Sequence, residues 1–347
     1  MSLATALQTG DLTLLPSRRD EDWRWTDLRG LIRAAPPPSP AVAHVTANPA
    51  LAALKAPVMV FANGRALEES HIAIPATGEG VFVRRFVSAT DGTGHHAEAP
   101  VEVGEGASLV LIDSFEGRAA GYVADARSVI RIGEGAVLDR IVLLDDAADA
   151  VSIALTEVEL RPGATFRQTV LASGAKRQRF ETRVTHLGGG ASARLDGVYV
   201  LEGARQSDQT TEVDHKAVDG ATAQLTRGVV QDQARAVFQG RIVVAEGADR
   251  TDARMAHNAL ILSDRAEVDA KPELLIYADD VACAHGNTVG ALDEDAMFYA
   301  RSRGIPEPEA RAMLIEAFLG EVVDRITHDA ARELARAWVA GRLRAPS

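Results

Sequence analysis

The sequence has 347 residues and a formal net charge of −12, with 37 Lys and Arg against 49 Asp and Glu. This acidic balance argues against general binding to nucleic acid or to an anionic membrane surface, since both need a basic face. Hydrophobic residues make up 46% of the chain and charged residues 25%, which is ordinary for a soluble protein with a sizeable core.

The sequence also indicates a compartment. Cys283 is the single cysteine, so no intramolecular disulfide can form, as is typical of proteins in a reducing cytosol. The stretch from Met1 to Leu15 lacks the basic start and apolar run of a signal peptide. No stretch reaches the ~18 uninterrupted apolar residues of a membrane span. We therefore expect a cytoplasmic protein that does not enter a membrane.

The first region, residues 1–90, is predicted to be of mixed structure. Its charged segment Arg18–Thr26 favours a partly helical start, and the proline run Pro36–Pro40 breaks any helix and is most simply a stiff linker. Val58–Ala62 has the pattern of a short strand, and Asn63-Gly64 after it is a good tight-turn pair.

The second region, residues 91–290, carries an internal repeat. Glycines in similar turns recur about every 28 residues, within the range typical of solenoids. They are Gly106, Gly135, Gly163, Gly190, Gly220 and Gly247. Between them lie short apolar runs such as Ser108–Ile112 and Arg241–Val244, which suit strands better than helices. Glycine takes positive φ without steric cost, so we predict a parallel β-helix with glycine corners. The alternative is a β-sandwich with coincidentally spaced turns.

The third region, residues 291–347, changes to a helical pattern. Asp293 is placed to cap a helix that runs through Ser302, and Gly304 is placed to stop it. Two apolar stripes at helical spacing follow. They are Met313, Leu314, Ala317, Phe318 and Val322, and then Leu334, Ala337, Trp338 and Val339. Because a solenoid end must be covered, such helices could cap it, hold a partner, or do both.

Several catalytic motifs are absent from the sequence. There is no phosphate-binding Gly-x-x-x-x-Gly-Lys-Ser/Thr loop, no Gly-x-Ser-x-Gly elbow and no His-Glu-x-x-His. We expect no ATP hydrolysis by this chain, no bound nucleotide and no enzymatic activity.

The densest polar segment is Tyr277–Gly286, which follows a probable strand at Pro272–Ile276. If that strand continues, Cys283 and His285 project from the same face and form a plausible metal-binding pair. Two ligands are too few for a zinc site or a cluster, which usually need four. Asp279 or Asp280 could add oxygen ligands, or the missing ligands come from another chain or from delivered iron and sulfide. The alternative is a purely structural role for both residues.

The remaining polar residues are predicted to be structural. Asp214 and His215 form an orientable pair that could act in catalysis or orient a metal ligand, but an internal hydrogen bond is the simpler role. His186 and His257 lie in strand-like runs, and His95 and His96 fit a solvated loop. Gln168, Gln209 and Arg227 could form polar ladders between coils if their side chains face inward.

Several segments together resemble a known family. They are Tyr277–Val281, Cys283–Gly286, Thr288–Gly290 and Phe298–Ile305, with Val213–His215, Phe238–Gly240 and Lys271–Leu274 upstream. These segments resemble the SufB/SufD family of iron–sulfur cluster assembly scaffold proteins. The N-terminal segment Arg18–Thr26 and the single cysteine are similar to its SufD branch. Gln239 departs from the usual Asn, and Met255 from a frequent Gln.

The resemblance implies a right-handed parallel β-helix between a mixed N-terminal region and a C-terminal helical domain. It implies a heterodimer with a SufB-like paralogue through the β-helix, or with itself when alone, and docking of a SufC-like ATPase by the C-terminal helices. A transient, nascent iron–sulfur cluster would be shared with the paralogue, with His285 as ligand and Cys283 in a less defined role.

Two other functions compete with this reading. One is a β-helix polysaccharide lyase or hydrolase, which would usually be exported. The other is a self-assembling structural β-helix without a partner ATPase.

Overall fold

The computed structural model describes residues 3–67 and 78–343, and strands dominate it. About 47% of the residues are in strands and 18% in helices. The strands are, in chain order, β1 (Val58–Ala62), β2 (Arg65–Ala66), β3 (Glu79–Ser88), β4 (Gly94–Glu98), β5 (Val101–Val103), β6 (Ser108–Gly117), β7 (Val123–Ile132), β8 (Val137–Asp145), β9 (Val151–Leu160), β10 (Thr165–Ala172), β11 (Arg177–His186), β12 (Ser192–Leu201), β13 (Gln206–His215), β14 (Ala221–Val230), β15 (Arg235–Val244), β16 (Thr251–Ile261), β17 (Glu267–Ile276) and β18 (Val281–Gly290).

Helices flank these strands at both ends of the chain. They are α1 (Leu3–Thr9), α2 (Pro49–Ala52), α3 (Glu294–Ser302), α4 (Glu307–Val323) and α5 (Asp329–Leu343), with short 3-10 turns at Leu12–Leu14 and Glu21–Trp23.

From β6 onward successive strands alternate between two sheets, and neighbours within each sheet are parallel except in the β1–β2 hairpin. Sheet 1 has the order β18-β16-β14-β12-β10-β8-β6-β3-β1-β2, and sheet 2 the order β17-β15-β13-β11-β9-β7-β4. Each coil therefore adds one strand to each sheet, which makes a parallel β-helix of about eight turns. The predicted fold class is confirmed.

The glycine corners are positioned as the repeat predicts, with one instructive exception. Gly106, Gly135, Gly163 and Gly190 all have φ between 63° and 70°. At the next corner Asp219 takes this conformation instead, with φ of 59°. Gly220 comes one residue later, in the position that alanine holds in the other turns. A Cβ on Gly220 would lie 2.4 Å from Nδ1 of His215, so glycine is needed there for space and not for its φ.

The hydrophobic core of the described residues forms five clusters, including one inside the coil and two against its outer faces. The interior of the coil, which we call the lumen, holds side chains such as Leu138, Phe166 and Phe238 from the inner faces of both sheets. A second cluster lies between the outer face of sheet 1 and helices α4 and α5. A third lies under the N-terminal segment, on the outer face of sheet 2.

The N-terminal region lies on the β-helix. Trp23 packs on the guanidinium of buried Arg179, 4.3 Å from its ring centroid, and the Thr26 hydroxyl donates to Asp208 over 2.5 Å. The proline run is not a free linker, because Ser39 donates its backbone N–H to the carbonyl of Gly94. Strands β1 to β3, before residue 90, already belong to sheet 1. The domain boundaries at residues 90 and 290 stay predictions, and their outer limits at 1 and 347 lie outside the described residues.

The C-terminal helices differ from expectation in where they pack. Asp293 caps α3 as predicted, since its carboxylate accepts from two backbone N–H groups. Helix α4, however, packs beside β12 and β14 on the outer face of sheet 1, instead of covering the end of the coil. Its buried stripe is Ile315, Leu319, Val322 and Val323, while Met313 and Ala317 of the predicted stripe are exposed. In α5 Trp338 and Val339 are buried as predicted, but Ala337 is exposed.

Candidate functional site at the open end of the coil

The C-terminal end of the β-helix is open. Strands β17 and β18 each pair on one side only, with β15 and β16, and are the edges of their sheets in the described part of the chain. Pro272 lies within β17, a position that edge strands tolerate because proline has no N–H to donate. Both strands are half-buried or exposed along their whole length. We call β17, the bend Tyr277–Asp280 and β18 the last coil.

Cys283 and His285 both lie on β18. The strand at Pro272–Ile276 does not continue to them, because β17 ends at Ile276 and the chain crosses to the other sheet. The expectation of a common face nevertheless holds. In the parallel register Cys283 lies opposite Ala253 and His285 opposite Met255, and both partners are buried in the lumen. Both side chains therefore belong to the inner face of the last coil.

The two residues differ in their surroundings. Cys283 is half-buried against the lumen core, and this burial raises the pKa of its thiol above the usual value. The thiolate is the form that binds metals, so the proton must leave before Cys283 can act as a ligand. His285 is exposed. The imidazole is thus the more accessible donor, and the thiol the more restrained.

The site is incomplete as a metal centre. Over residues 3–67 and 78–343, no group of three or more His, Cys, Asp or Glu side chains is arranged to hold a metal ion. Asp279 and Asp280 lie in the bend before β18 and do not complete such a group with Cys283 and His285. As ligands, the pair at the open end would supply two of the four donors that a cluster usually needs.

One residue of this face was missed from the sequence. Asn287 follows His285 by two positions and pairs in register with buried His257. Nδ1 of His257 lies 2.7 Å from Oδ1 of Asn287. The signal was the alternation itself, because Cys283, His285 and Asn287 are spaced by two along one strand.

Two histidines away from this end, His186 and His215, are buried in the coil. His186 and His215 stack in the lumen with ring centroids 4.1 Å apart, and the Thr222 hydroxyl bonds Nε2 of His215 at 2.9 Å. Burial lowers the pKa of His186 to about 3 and that of His215 to about 4. The predicted Asp214–His215 pair does not form, since Asp214 turns to Lys216 instead.

Other polar predictions had mixed outcomes. His95 is held between Ser39 and Ser88, and burial lowers its pKa to about 4, so the expectation of a solvated side chain was wrong. Gln168 and Gln209 are buried as expected of ladder residues. Arg227 is not, because it reaches outward to the carbonyl of Phe318 in α4.

No helix in the described residues is long and apolar enough to cross a membrane.

The fold and the site define a class of protein: a parallel β-helix whose open end carries a cysteine and a histidine on one inner face. Residues 86–318 match the family model for the SUF system FeS cluster assembly, SufBD core domain. That match covers most of the chain, and the chain belongs to the SufBD family. The resemblance found in the sequence is therefore confirmed.

Individual relatives agree with this assignment. The iron–sulfur cluster assembly protein SufD of Escherichia coli is 33% identical over 250 residues, which are 72% of this chain and 59% of the relative. A SufBD family protein of Synechocystis is 35% identical over 205 residues, covering 59% of this chain and 45% of the relative. SufD of Bacillus subtilis is 36% identical over 141 residues, covering 40% and 32%. The chain thus spans between about a third and three-fifths of these relatives' lengths.

Proposed function

We propose that this chain is a non-catalytic scaffold subunit of a cytoplasmic complex that assembles iron–sulfur clusters. It would share the nascent cluster with a SufB-like paralogue and dock a SufC-like ATPase. The observation that carries the proposal is the position of Cys283 and His285 on the inner face of the last coil, onto which no further coil stacks in residues 3–67 and 78–343. Membership of the SufBD family supports the same role.

The incomplete ligand set favours a shared site. A donor pair on an exposed edge strand can be completed by side chains of a second chain that abuts the same end. The free edges of β17 and β18 present unpaired backbone N–H and C=O groups, which are suited to pairing with another strand. Exposed apolar side chains at this end, Leu275, Ile276, Tyr277 and Val289, would be buried by such a contact. A second copy of this chain would take the place of the paralogue when the chain is alone.

The two donors would have different tasks. His285 is the exposed group and binds iron through a neutral ring nitrogen. Cys283 enters only after losing its proton, which its burial opposes. The cluster is cargo that is built and passed on, so an incomplete and accessible site suits it better than a closed one.

The C-terminal helices would dock the ATPase. Helix α3 has no buried residue, and Phe298 and Tyr299 on it are 76% and 61% exposed. Met313 of α4 adds to this exposed apolar surface. An apolar surface of this kind on a helix is typical of a protein contact. Nucleotide hydrolysis would occur in the partner, because this chain has no phosphate-binding loop of the usual type.

The first test is an oxygen-free affinity pull-down of the full chain from its native cells, with the partners identified by mass spectrometry. We expect a SufB-like paralogue and a SufC-like ATPase in stoichiometric amounts. Recovery of the chain alone, or only with itself, would contradict the proposed complex.

The second test addresses the site. His285→Ala should still assemble with the partners but lose cluster formation, measured as iron and sulfide content and visible absorbance. The matched control is His44→Ala, because His44 is an exposed histidine far along the chain from the open end. If His285→Ala builds clusters as the control does, His285 is not a ligand.

A further inference from the structure

A hydrogen-bonded chain runs through the lumen to the open end. The Tyr199 hydroxyl lies 2.9 Å from Nε2 of His257, and Nδ1 of His257 lies 2.7 Å from Oδ1 of Asn287. Tyr199 and His257 are fully buried, and Asn287 is exposed on the same face as Cys283 and His285. An interior network is thus connected to the surface beside the candidate ligands.

The donor and acceptor of each hydrogen bond follow from the fact that the Asn287 side chain turns its oxygen, and not its nitrogen, to the His257 ring. A carbonyl oxygen cannot donate, so Nδ1 of His257 must carry the proton. Burial lowers the pKa of His257, which keeps the ring neutral and leaves Nε2 as an acceptor. Burial also raises the pKa of Tyr199, so its hydroxyl keeps its proton and donates to Nε2. The chain therefore runs from the Tyr199 hydroxyl through His257 to the oxygen of Asn287.

Packing holds this chain in place. The ring of Phe238 stacks on His257 with centroids 4.6 Å apart and planes 6° from parallel. Gly228 makes room for Tyr199, since a Cβ on Gly228 would lie 1.8 Å from the Tyr199 ring. Because packing and hydrogen bonds already fix the His257 ring, the ring can hold the Asn287 amide in one orientation.

The Nδ2 group of Asn287 is left available as a donor. With Oδ1 turned to His257, the Nδ2 group is directed away from that contact, and in residues 3–67 and 78–343 no hydrogen-bond partner for it is found. It is a neutral N–H donor that is neither lost by titration nor able to bind iron. Hydrogen bonds to cluster sulfur atoms are one of the means by which proteins set cluster reduction potentials.

We propose that Asn287 is a third residue of the site, which donates its Nδ2 hydrogen bond to a sulfur atom of the cluster cargo, and that His257 is the positioning residue that orients it. This inference rests on the proposed function. It deepens that function by assigning a donor for sulfide next to the donors for iron.

The first experiment uses the full complex of this chain with its partners, supplied with ferrous iron and sulfide without oxygen. Two variants are compared with the wild type by potentiometric titration. Asn287→Ala removes the donor, and Asn287→Asp keeps the acceptor for His257 but offers a negative charge in place of the N–H group. We expect both complexes to form, with the reduction potential more negative in the Ala variant and most negative in the Asp variant.

A matched control is available one position from His257. Asn258 is also an asparagine, but its amide donates to Thr288 over 2.6 Å on the outer face of sheet 1. Asn258→Ala should leave the potential unchanged. Unchanged potentials in the Asn287 variants, shifts as large in the control, or a failure of Asn287→Ala to form the complex would overturn the inference while leaving the proposed function in place. A wild-type complex that builds no cluster would overturn both.

The second experiment needs no cluster. In the full chain with ¹⁵N-labelled histidine, long-range ¹H–¹⁵N spectra at neutral pH report which nitrogen of each ring is protonated, and the His257 signals are those lost in His257→Gln. We expect a proton on Nδ1 and none on Nε2. A proton on Nε2 would require the Asn287 amide to face the ring with its nitrogen, which would remove the proposed donor.

Discussion

The middle of the β-helix and its last coil are built from the same repeat, yet they treat polar side chains in opposite ways. A row of inner-face residues in register across sheet 1 includes Gln168, Leu195, Gln224, Met255 and His285. The first four are 2–4% exposed, whereas His285 is exposed. The position within the repeat is the same, and only the presence of a next coil differs.

In the middle, many polar side chains of the lumen are paired with one another, although Nδ1 of His186 and of His215 and Nε2 of Gln224 have no hydrogen-bond partner in the described residues. Arg140 donates to Asp113, Thr156 and Gln168, and Arg84 donates to Asp113 from the neighbouring coil. Burial alone would raise the pKa of Asp113, but Arg84 and Arg140 outweigh it and hold that pKa below its usual value. In the last coil Cys283 and His285 face no such requirement, because Cys283 is only half-buried and His285 is exposed. The side chains of the last coil are accessible for binding because of their position at the end of the β-helix.

The largest expected difference between the two regions comes from removing a buried charge. Asp113→Ala leaves Arg84 and Arg140 buried without their shared carboxylate, which should cost about 3–5 kcal/mol of unfolding free energy. The control, Asp269→Ala on β17, removes a partly exposed partner of Arg235 and should cost less than about 1 kcal/mol. Urea unfolding followed by circular dichroism measures both. Equal losses of unfolding free energy in the two variants would mean that water is excluded from the last coil as much as from the middle.

A smaller difference should follow from adding a methyl group to a glycine in each region. Gly220→Ala places a Cβ against the stacked pair His186 and His215 and should destabilise the fold by about 1–3 kcal/mol. Gly286→Ala, on β18, meets nothing within 4 Å and should change stability by less than about 0.5 kcal/mol. Thermal unfolding of both variants makes the comparison. If Gly220→Ala leaves the thermal stability unchanged, the histidine pair moves aside at no cost in free energy.

The same histidine pair predicts a pH dependence of the free energy of unfolding. The folded pKa values of about 3 and about 4 lie below the usual histidine value of 6.5, so the unfolded chain binds protons more readily in this window. Stability should therefore fall as the pH decreases from about 6.5 toward 4. His215→Leu should flatten this slope, by about 1–2 kcal/mol between pH 6.5 and 5. Urea unfolding at stepped pH measures it, and an unchanged slope would mean that the pair is hydrated.

The smallest expected effect on stability is that of the candidate ligand itself. His285→Ala should change the free energy of unfolding by less than about 0.5 kcal/mol, because the side chain is exposed. Met255→Ala, at the neighbouring position of the same row, should cost about 2–5 kcal/mol because Met255 is buried. Chemical unfolding of both variants tests the contrast. A large loss in His285→Ala would indicate a structural histidine.

Much of the architecture was readable from local patterns. The recurrence of glycine in similar turns predicted the coils, because a positive φ is a demand of the backbone at one residue and needs no knowledge of distant contacts. The shared face of Cys283 and His285 followed from alternation along a strand, even though the strand was wrongly extended from Pro272. Asp293 was a correct helix cap for the same local reason.

Errors arose where a distant element decided the outcome. Periodicity alone placed the stripe of α4 at Met313 and Ala317, but the contact with sheet 1 selected the face carrying Ile315 and Leu319. Arg227 has a sequence context like that of an inward ladder residue, yet it pairs with α4. The assignment of His285 and Cys283 as ligands stays a prediction.

The sequence alone determined the β-helix, the family and the inner-face alternation of β18, since these depend on residue types at short spacings. Only the tertiary structure decided which polar side chains are buried and which stay exposed to solvent. That depends on whether another coil, a helix or the N-terminal segment covers each position, and such coverage joins residues far apart in the chain. His257 and Asn287 illustrate both sides. Their hydrogen bond joins residues 30 positions apart, so it is visible only once the coils are stacked, and it connects the interior to the open C-terminal end of the coil.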